Sequence, residues 1–320
     1  MLSRFAFRRE EPWEKKKPLG IRLKRQWPTL LMLAPALVLI FIFNTIPLSG
    51  LYMAFTRYRI SRGLLGSEFI GLDNFIRFFD FKAGDISHLL RNTLTVNILG
   101  LIANTVFAIS FAVLLKEVRL RPFAKAVQTV SFFPFFISWV IVYSVVWSLI
   151  SVRSGAINII LMDLGIIDKG INLLGDERYA HGLTIWLSVW KSLGYNSMLY
   201  VTAMTGIAAE LYEAATVDGA GRFRRIWHIT LPGIMPTLSI LLIMSMGGIL
   251  NSGIDFFYVF QNITNWRSME MFDMYILSRG LQKGDYSYAT AVGIMKSLVS
   301  IALLIMSNFA ARKLSGNSIF

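Results

Sequence analysis

Lys191 and Tyr195 stand one helical turn apart inside a long apolar stretch, and a helical reading carries their stripe on through Met198, Thr202 and Thr205. An ammonium in such a run costs at least about 2.5 kcal/mol if it spans a membrane, so Lys191 is expected to face a cavity or a carboxylate rather than lipid. Snorkelling toward the outer interface is the structural alternative. Further on, Asn251, Ser252 and Asp255 are followed by Phe256, Phe257 and Tyr258. Pyranose faces stack on aromatic rings and their hydroxyls bond to amides and hydroxyls, so this grouping suits a sugar-contacting wall. The same rings would also suit the aromatic belt at a membrane interface. On the first reading the chemistry is recognition of a polar solute, not bond making. Cysteine is absent, and His88, His181 and His228 are too scattered for a metal site. No nucleophile stands beside a base, and no G-x-x-x-x-G-K-[ST] phosphate loop occurs. The chain is read as a non-enzyme with no cofactor of its own.

The elements that must carry these residues are membrane helices. Of 320 residues, 55% are hydrophobic and only 16% charged, and the mean hydropathy is positive, which points away from a soluble globule. Six stretches approach the roughly 20 apolar residues needed to cross a bilayer: 28–56, 92–115, 126–150, 182–209, 232–254 and 286–311. The first follows the basic run KKKPLGIRLKRQW and is too long for a signal peptide, and Pro35 and Pro47 are expected to kink it. Only Lys191 and Lys296 are charged well inside a span.

The net charge of +13 raises nucleic acid as a partner, but its placement argues against that. With the N-terminus in the cytoplasm, the inner segments hold 18 Lys and Arg against 7 acids, and the outer loops hold 12 of each. Retained loops collect Lys and Arg, so both termini are expected in the cytoplasm and no nucleic acid is expected. The outer loops 57–91, 151–181 and 255–285 carry turn and cap signals and are expected to form short surface helices, either as a docking surface or as plain connections.

The most polar helix-forming segment in the second half, EAATVDGAGRFRRIWHITLP (Glu213–Pro232), lies between spans four and five. Glu210–Val217 has good helix propensity, and Gly219 can take the left-handed conformation that ends it. A second helical turn begins near Arg222, and Pro232 and Pro236 suit the start of the next span. This makes a helix–glycine–helix elbow, far longer than a connector requires. Its alanines at 214, 215 and 220 leave little bulk, and Glu210, Glu213 and Asp218 offer charged contacts. Docking of a partner and lying on lipid headgroups are the two physical readings.

Glu213-Ala214-Ala215, Asp218-Gly219-Ala220 and, after an ungapped spacing, Ile229-Thr230-Leu231-Pro232 resemble the EAA loop of binding-protein-dependent ABC transporter permeases. That resemblance implies a coupling helix seated in an ATPase subunit. Glu210, Glu213, Ala214, Ala215, Asp218, Gly219, Ala220 and Arg222 become the candidates for that contact. Phe69-Ile70-Gly71-Leu72-Asp73-Asn74-Phe75 and Gly155-Ala156-Ile157-Asn158 resemble outer-loop signatures of maltose-type carbohydrate permeases. Pro47-Leu48-Ser49-Gly50 with Ala54-Phe55, Gly63-Leu64-Leu65-Gly66-Ser67, and Trp190-Lys191-Ser192-Leu193-Gly194-Tyr195-Asn196 look like the branch importing polysaccharide fragments and aldouronates. By the same resemblance, Tyr195, Asn196, Ser245, Asn251 and Ser252, with Lys191 and Asp255, are candidates for the substrate pathway.

The resemblance implies an all-α permease: a basic segment at 1–27 and a six-span domain at 28–320, with the coupling elbow at 210–231. It implies a second homologous permease subunit, two ATPase subunits that bind ATP and Mg, an extracytoplasmic solute-binding protein, an oligosaccharide cargo and a bacterial cytoplasmic membrane. The rival reading is an ion-coupled secondary transporter built on Lys191, Lys296 and Asp255. Against it stand the missing internal repeat and an elbow with no role there.

Overall fold

The computed structural model describes residues 19–79 and 85–315, so most of the basic segment expected at 1–27 lies outside the described residues. The chain divides into two units between Tyr52 and Met53. In the first, α1 (Leu19–Ile40) runs through Pro28 and Pro35, then changes to a π-turn at Phe41–Thr45 and a 3₁₀ stretch from Ile46. Pro47 lacks an N–H, and its ring crowds the carbonyl four residues back, which is why the regular pattern is lost just before it.

The second unit is helical apart from a small hairpin in which β1 (Thr56–Arg57) pairs antiparallel with β2 (Glu68–Phe69). The same loop also carries α2 (Asp73–Phe79). Next come α3 (Asp85–Glu117), α4 (Arg121–Phe136), α5 (Trp139–Ile150), α6 (Ala156–Asp163) and α7 (Glu177–Thr205). The elbow is α8 (Ala209–Val217) and α9 (Arg222–Arg225), leading into α10 (Leu231–Gly247). Three short helices follow, α11 (Ile254–Phe260), α12 (Trp266–Met269) and α13 (Phe272–Leu277), before the long α14 (Tyr286–Ser315).

Among the described residues four helical runs are long and apolar enough to cross a membrane: Gln26–Phe55, Ile86–Glu117, Arg222–Gly247 and Tyr286–Phe309. The stretch expected as one span at 126–150 is instead broken, with α4 and α5 meeting at a bend of 102°. Pro134 weakens the end of α4, and Ile137 and Ser138 are extended. The Ser138 hydroxyl then accepts from the Ile141 amide at 3.5 Å, a marginal cap on the new helix. The remaining expected span is α7, whose 29 residues are long enough, about 43 Å at 1.5 Å per residue. Its polar side chains keep it out of the apolar set.

Three buried clusters hold the second unit together. In one, Phe256, Phe257 and Phe260 of α11 and Met269 and Met271 pack against Val142 of α5 and Leu187 of α7. Another joins Leu89 of α3, Phe272 and Tyr275 of α13 and Val292 of α14. The third brings Ala108 and Ala112 of α3 onto Tyr200 and Met204 of α7 and Ile234 of α10. At Gly194, α7 runs so close to α4 that an added Cβ would lie 2.3 Å from the Ser131 carbonyl oxygen. Only glycine fits there without moving a backbone.

The segments between the long helices are folded and fixed by asparagines. Asn74 donates to the carbonyls of Ala54 at 2.8 Å and Thr56 at 3.3 Å. Asn158, only 2% exposed, accepts from the Ile171 amide at 2.9 Å and donates back to the Ile171 carbonyl at 3.1 Å. Asn265 ties the Leu174 and Phe260 carbonyls at 2.8 and 3.1 Å. These amides take the place of strand pairing in irregular loops, whose buried backbone groups need partners. At the start of α7 the Asp176 side chain accepts from the Arg178 amide at 2.9 Å. The Arg178 side chain's hydrogen bonds hold the Asp176 carboxyl below its ordinary range.

Candidate transport pathway and coupling segment

A cavity of about 440 Å³ opens between α3, α7 and the turn that follows α10. The turn exists because α10 stops at Gly247 and the chain re-enters a helix at Ile254 through Gly253, whose φ of 74° suits glycine alone among common residues. Asn251 and Ser252 from this turn and Asp255 from the first turn of α11 line the cavity, as does Ser245 from the last turn of α10. Four of the seven expected pathway residues are therefore brought together.

Asn196 lines a smaller space of about 120 Å³ that shares Leu101, Asn104 and Ser245 with the larger one. Lys191 and Tyr195 line neither. The Lys191 ammonium donates to the carbonyls of Pro134 at 3.2 Å and Phe135 at 2.7 Å, at the frayed end of α4. Tyr195 stacks on Phe135 with ring centroids 4.4 Å apart and planes 5° apart. The expectation that Lys191 faces a cavity or a carboxylate is thus corrected: it closes the end of a broken helix, where the Phe135 carbonyl and the helix dipole both favour a cation.

Phe256 and Phe257 stand beside Asn251, Ser252 and Asp255 at the cavity, as the aromatic-wall reading expects. Both border the cavity but are buried in the core, where Phe256 stacks on Phe260 at 4.4 Å and meets Trp139 edge-on at 4.7 Å. Tyr258 is exposed and does not line the cavity. The α7 residues that reach the cavity are Thr184 and Ser188, on the expected stripe but about one to two turns nearer the start of the helix than Lys191.

Sequence reasoning missed α3 and α5. Asn97 donates to the Ile249 carbonyl at 2.6 Å and to the Ser252 hydroxyl at 3.1 Å. Asn104 accepts from the Ser192 hydroxyl at 2.6 Å and the Asn196 amide at 3.3 Å. Trp139 supplies an aromatic wall. A signal was available: two amides seven residues apart share one face of an apolar span, and intramembrane polar groups mark cavities.

The turn is anchored from behind. The Ser252 amide donates to Asp273 at 2.8 Å, and Asp273 pairs with Lys296 of α14. Asn97 fills an acceptor position of the Ser252 oxygen, so that hydroxyl keeps its own proton for a further partner. Lys296 is thereby committed to a structural ion pair, and Lys191 to carbonyls. The ion-coupled reading loses two of its three charged residues.

At the other end of α7, the elbow has the expected form. Gly219 takes φ 75° after α8, and nothing lies near the Cβ it lacks. Glu210, Glu213, Ala214, Asp218 and Gly219 are exposed, and Ala215 and Ala220 are half-buried. Arg222 is exposed and lies 4.0 Å from Glu117 at the end of α3. The second arm differs from expectation in being continuous with the next span. From Arg222 the helix runs through a π-turn at Ile226–Thr230 directly into α10. Pro232 accounts for this, because its ring disfavours the regular i−4 bond in the turn before it.

Membrane-length helices around a polar cavity, with a small-residue elbow at one end, define the membrane subunit of a transport system. The chain belongs to the family described as the binding-protein-dependent transport system inner membrane component, whose model matches residues 116–316. It is 39% identical over 96% of its length to the polygalacturonan/rhamnogalacturonan transport system permease protein YteP of Bacillus subtilis, covering 94% of that chain. It is 38% identical to protein LplB of the same organism, over 93% of this chain and 92% of that one. Among solved structures it matches a bacterial alginate ABC transporter in complex with its alginate pentasaccharide-bound periplasmic protein. That match has a TM-score of 0.84 and 32% identity, over 94% of this chain and 99% of the other.

Proposed function

We propose that the chain is a permease subunit of an ATP-driven importer of oligosaccharides, with uronate-containing fragments as the favoured cargo. The observation that carries the reading is the cavity walled by Ser245, Asn251, Ser252 and Asp255 beside Asn97, Asn104 and Trp139. It offers hydroxyls, amides and an indole face, the groups that read a sugar. Support for an acidic cargo comes from the relatives, whose names specify polygalacturonan and alginate. The cavity wall itself has one carboxylate and no cation, so selection for acid would rest on the partner permease or the binding protein.

In this reading the bent α4–α5 pair and α7 complete six spans, both termini lie in the cytoplasm of a bacterial cell, and a second homologous permease closes the cavity. Two ATPase subunits bind ATP and Mg and receive α8 through Glu210, Glu213, Ala214, Asp218 and Gly219, with Ala215, Ala220 and Arg222 beside them. Closure of the ATPase pair would move α8 and tilt the spans, opening the cavity outward to the loaded binding protein.

The test is uptake by the reconstituted complex with its binding protein, comparing labelled oligogalacturonides with neutral maltooligosaccharides. Uptake of the acidic set supports the reading, and uptake of the neutral set alone removes the acidic cargo. Uptake of neither, with ATP hydrolysis unaffected by any sugar-loaded binding protein, would overturn it. Uptake that persists without ATP and collapses with the ion gradient would favour the secondary transporter.

A further inference from the structure

We propose that Tyr212 is the positioning residue that ties the coupling helix to the spans, passing movement of α8 to α3, α7 and α10 through one phenolic oxygen. The inference rests on the proposed docking of an ATPase subunit on α8 and adds the inward half of that contact.

The two faces of α8 differ. Glu210, Glu213, Ala214 and Val217 point outward, with Val217 89% exposed, whereas Tyr212 is half-buried on the opposite side. Its hydroxyl accepts from Lys116 at the end of α3, with Nζ to Oη at 2.9 Å, and the same ammonium reaches the Met204 carbonyl in the last turn of α7 at 3.3 Å. With the ammonium on one acceptor position, the phenol is free to donate its own proton to Thr230 Oγ1, 3.0 Å away. Thr230 is 3% exposed and is the residue from which α10 starts. One side chain thus meets the cytoplasmic ends of three long helices.

The main-chain links of α8 are poor at carrying force. It is joined to α7 through Gly206, Ile207 and Ala208, with Ile207 packed on the third cluster, and to α9 through Gly219, Ala220 and Gly221, with Gly219 in the left-handed region. Glycines change φ and ψ at little cost, so a displaced α8 would be absorbed in these tethers unless side chains held it laterally. A second strut exists, the 3.0 Å bond from Arg225 to Thr216. It joins the two arms of the elbow and leaves α3 and α7 untouched. Among the described side chains of α8, Tyr212 is the one whose hydrogen bonds lead to α3, α7 and α10 together.

The experiment uses the assembled complex with its binding protein. Tyr212→Phe keeps the ring and deletes the shared oxygen. Transport and the stimulation of ATP hydrolysis by sugar-loaded binding protein should each fall about tenfold, the equivalent of one lost charge-assisted hydrogen bond. Basal hydrolysis and co-purification of the ATPase should stay within about twofold of the parent, because the outward face is unaltered. Thr230→Val should reproduce the loss, and the double variant should be no worse than either single one. Wild-type stimulation in Tyr212→Phe overturns the proposal, as do additive losses in the double variant or loss of the ATPase from the complex. The docking reading is measured separately. The chain has no cysteine, so Val217→Cys gives a unique site for crosslinking to the ATPase. No crosslink at any reagent length removes the docking reading itself, whereas a crosslink with normal coupling in Tyr212→Phe removes only the relay.

Discussion

Replacing Lys191 with methionine keeps the aliphatic stem and deletes the ammonium, which separates a structural lysine from one that binds cargo. The Pro134 carbonyl would keep its bond from the Ile137 amide at 3.2 Å. The Phe135 carbonyl would lose the 2.7 Å bond that Lys191 provides. A hydrogen bond to a charged group contributes about 1.5–3 kcal/mol, and the partial exposure of this one favours the lower end, about 2 kcal/mol. The scaling for domains of 150–250 residues gives roughly 4–8 °C, which sets the upper bound on the fall in Tm for this longer chain. Thermal unfolding of the purified complex reads this directly, and Lys191→Arg, which retains donors on a long stem, should recover part of it. Because the damage is to the α4–α5 break, transport of charged and neutral oligosaccharides should decline together. A Lys191→Met complex with parental Tm, intact neutral uptake and selective loss of acidic uptake would refute the argument and put the ammonium on the cargo.

Gly219→Val meets no steric obstacle but must hold φ near 75°, which costs a β-branched residue about 1–3 kcal/mol; stimulated ATP hydrolysis and transport should collapse while membrane insertion, read by fractionation, persists. Reporter fusions after Lys313 and within Arg222–Arg225 should both report cytoplasm and one near Asp168 the outside, and an outside signal from the Lys313 fusion would overturn the topology. Lys296→Met strands Asp273 against the Ser252 amide and should destabilise the complex by about 3–5 kcal/mol, whereas pairing it with Asp273→Asn should recover much of that in the same melting assay.

The chain's membrane class was legible in composition, since a chain this apolar with charge confined to short segments has few other solutions. The elbow was legible as well. A strong helix former, a glycine and two prolines act within a few residues of one another, so local chemistry fixes helix, left-handed stop and restart without help from the rest of the molecule. The cavity was legible only in part. Ser245, Asn251, Ser252 and Asp255 lie within a single turn-forming stretch and were found together. Asn97, Asn104, Trp139 and Ser188 reach the same space from three other helices, and which face of each helix turns inward is set by packing between them, not by the residues themselves.

Lys191 shows the limit most directly. Its cost in an apolar span was readable from the sequence, and so was its need for a polar partner. That the partner is the carbonyl end of α4, some 55 residues earlier, depends on two tertiary facts. One is that the expected third span breaks by 102° at Ile137 and Ser138, leaving the Phe135 carbonyl to accept from a side chain. The other is that Gly194 lets α7 approach α4 closely enough for a lysine to reach it. A break creates orphan carbonyls and a cation is the natural group to satisfy them, but only the packed structure brings the two within bonding distance.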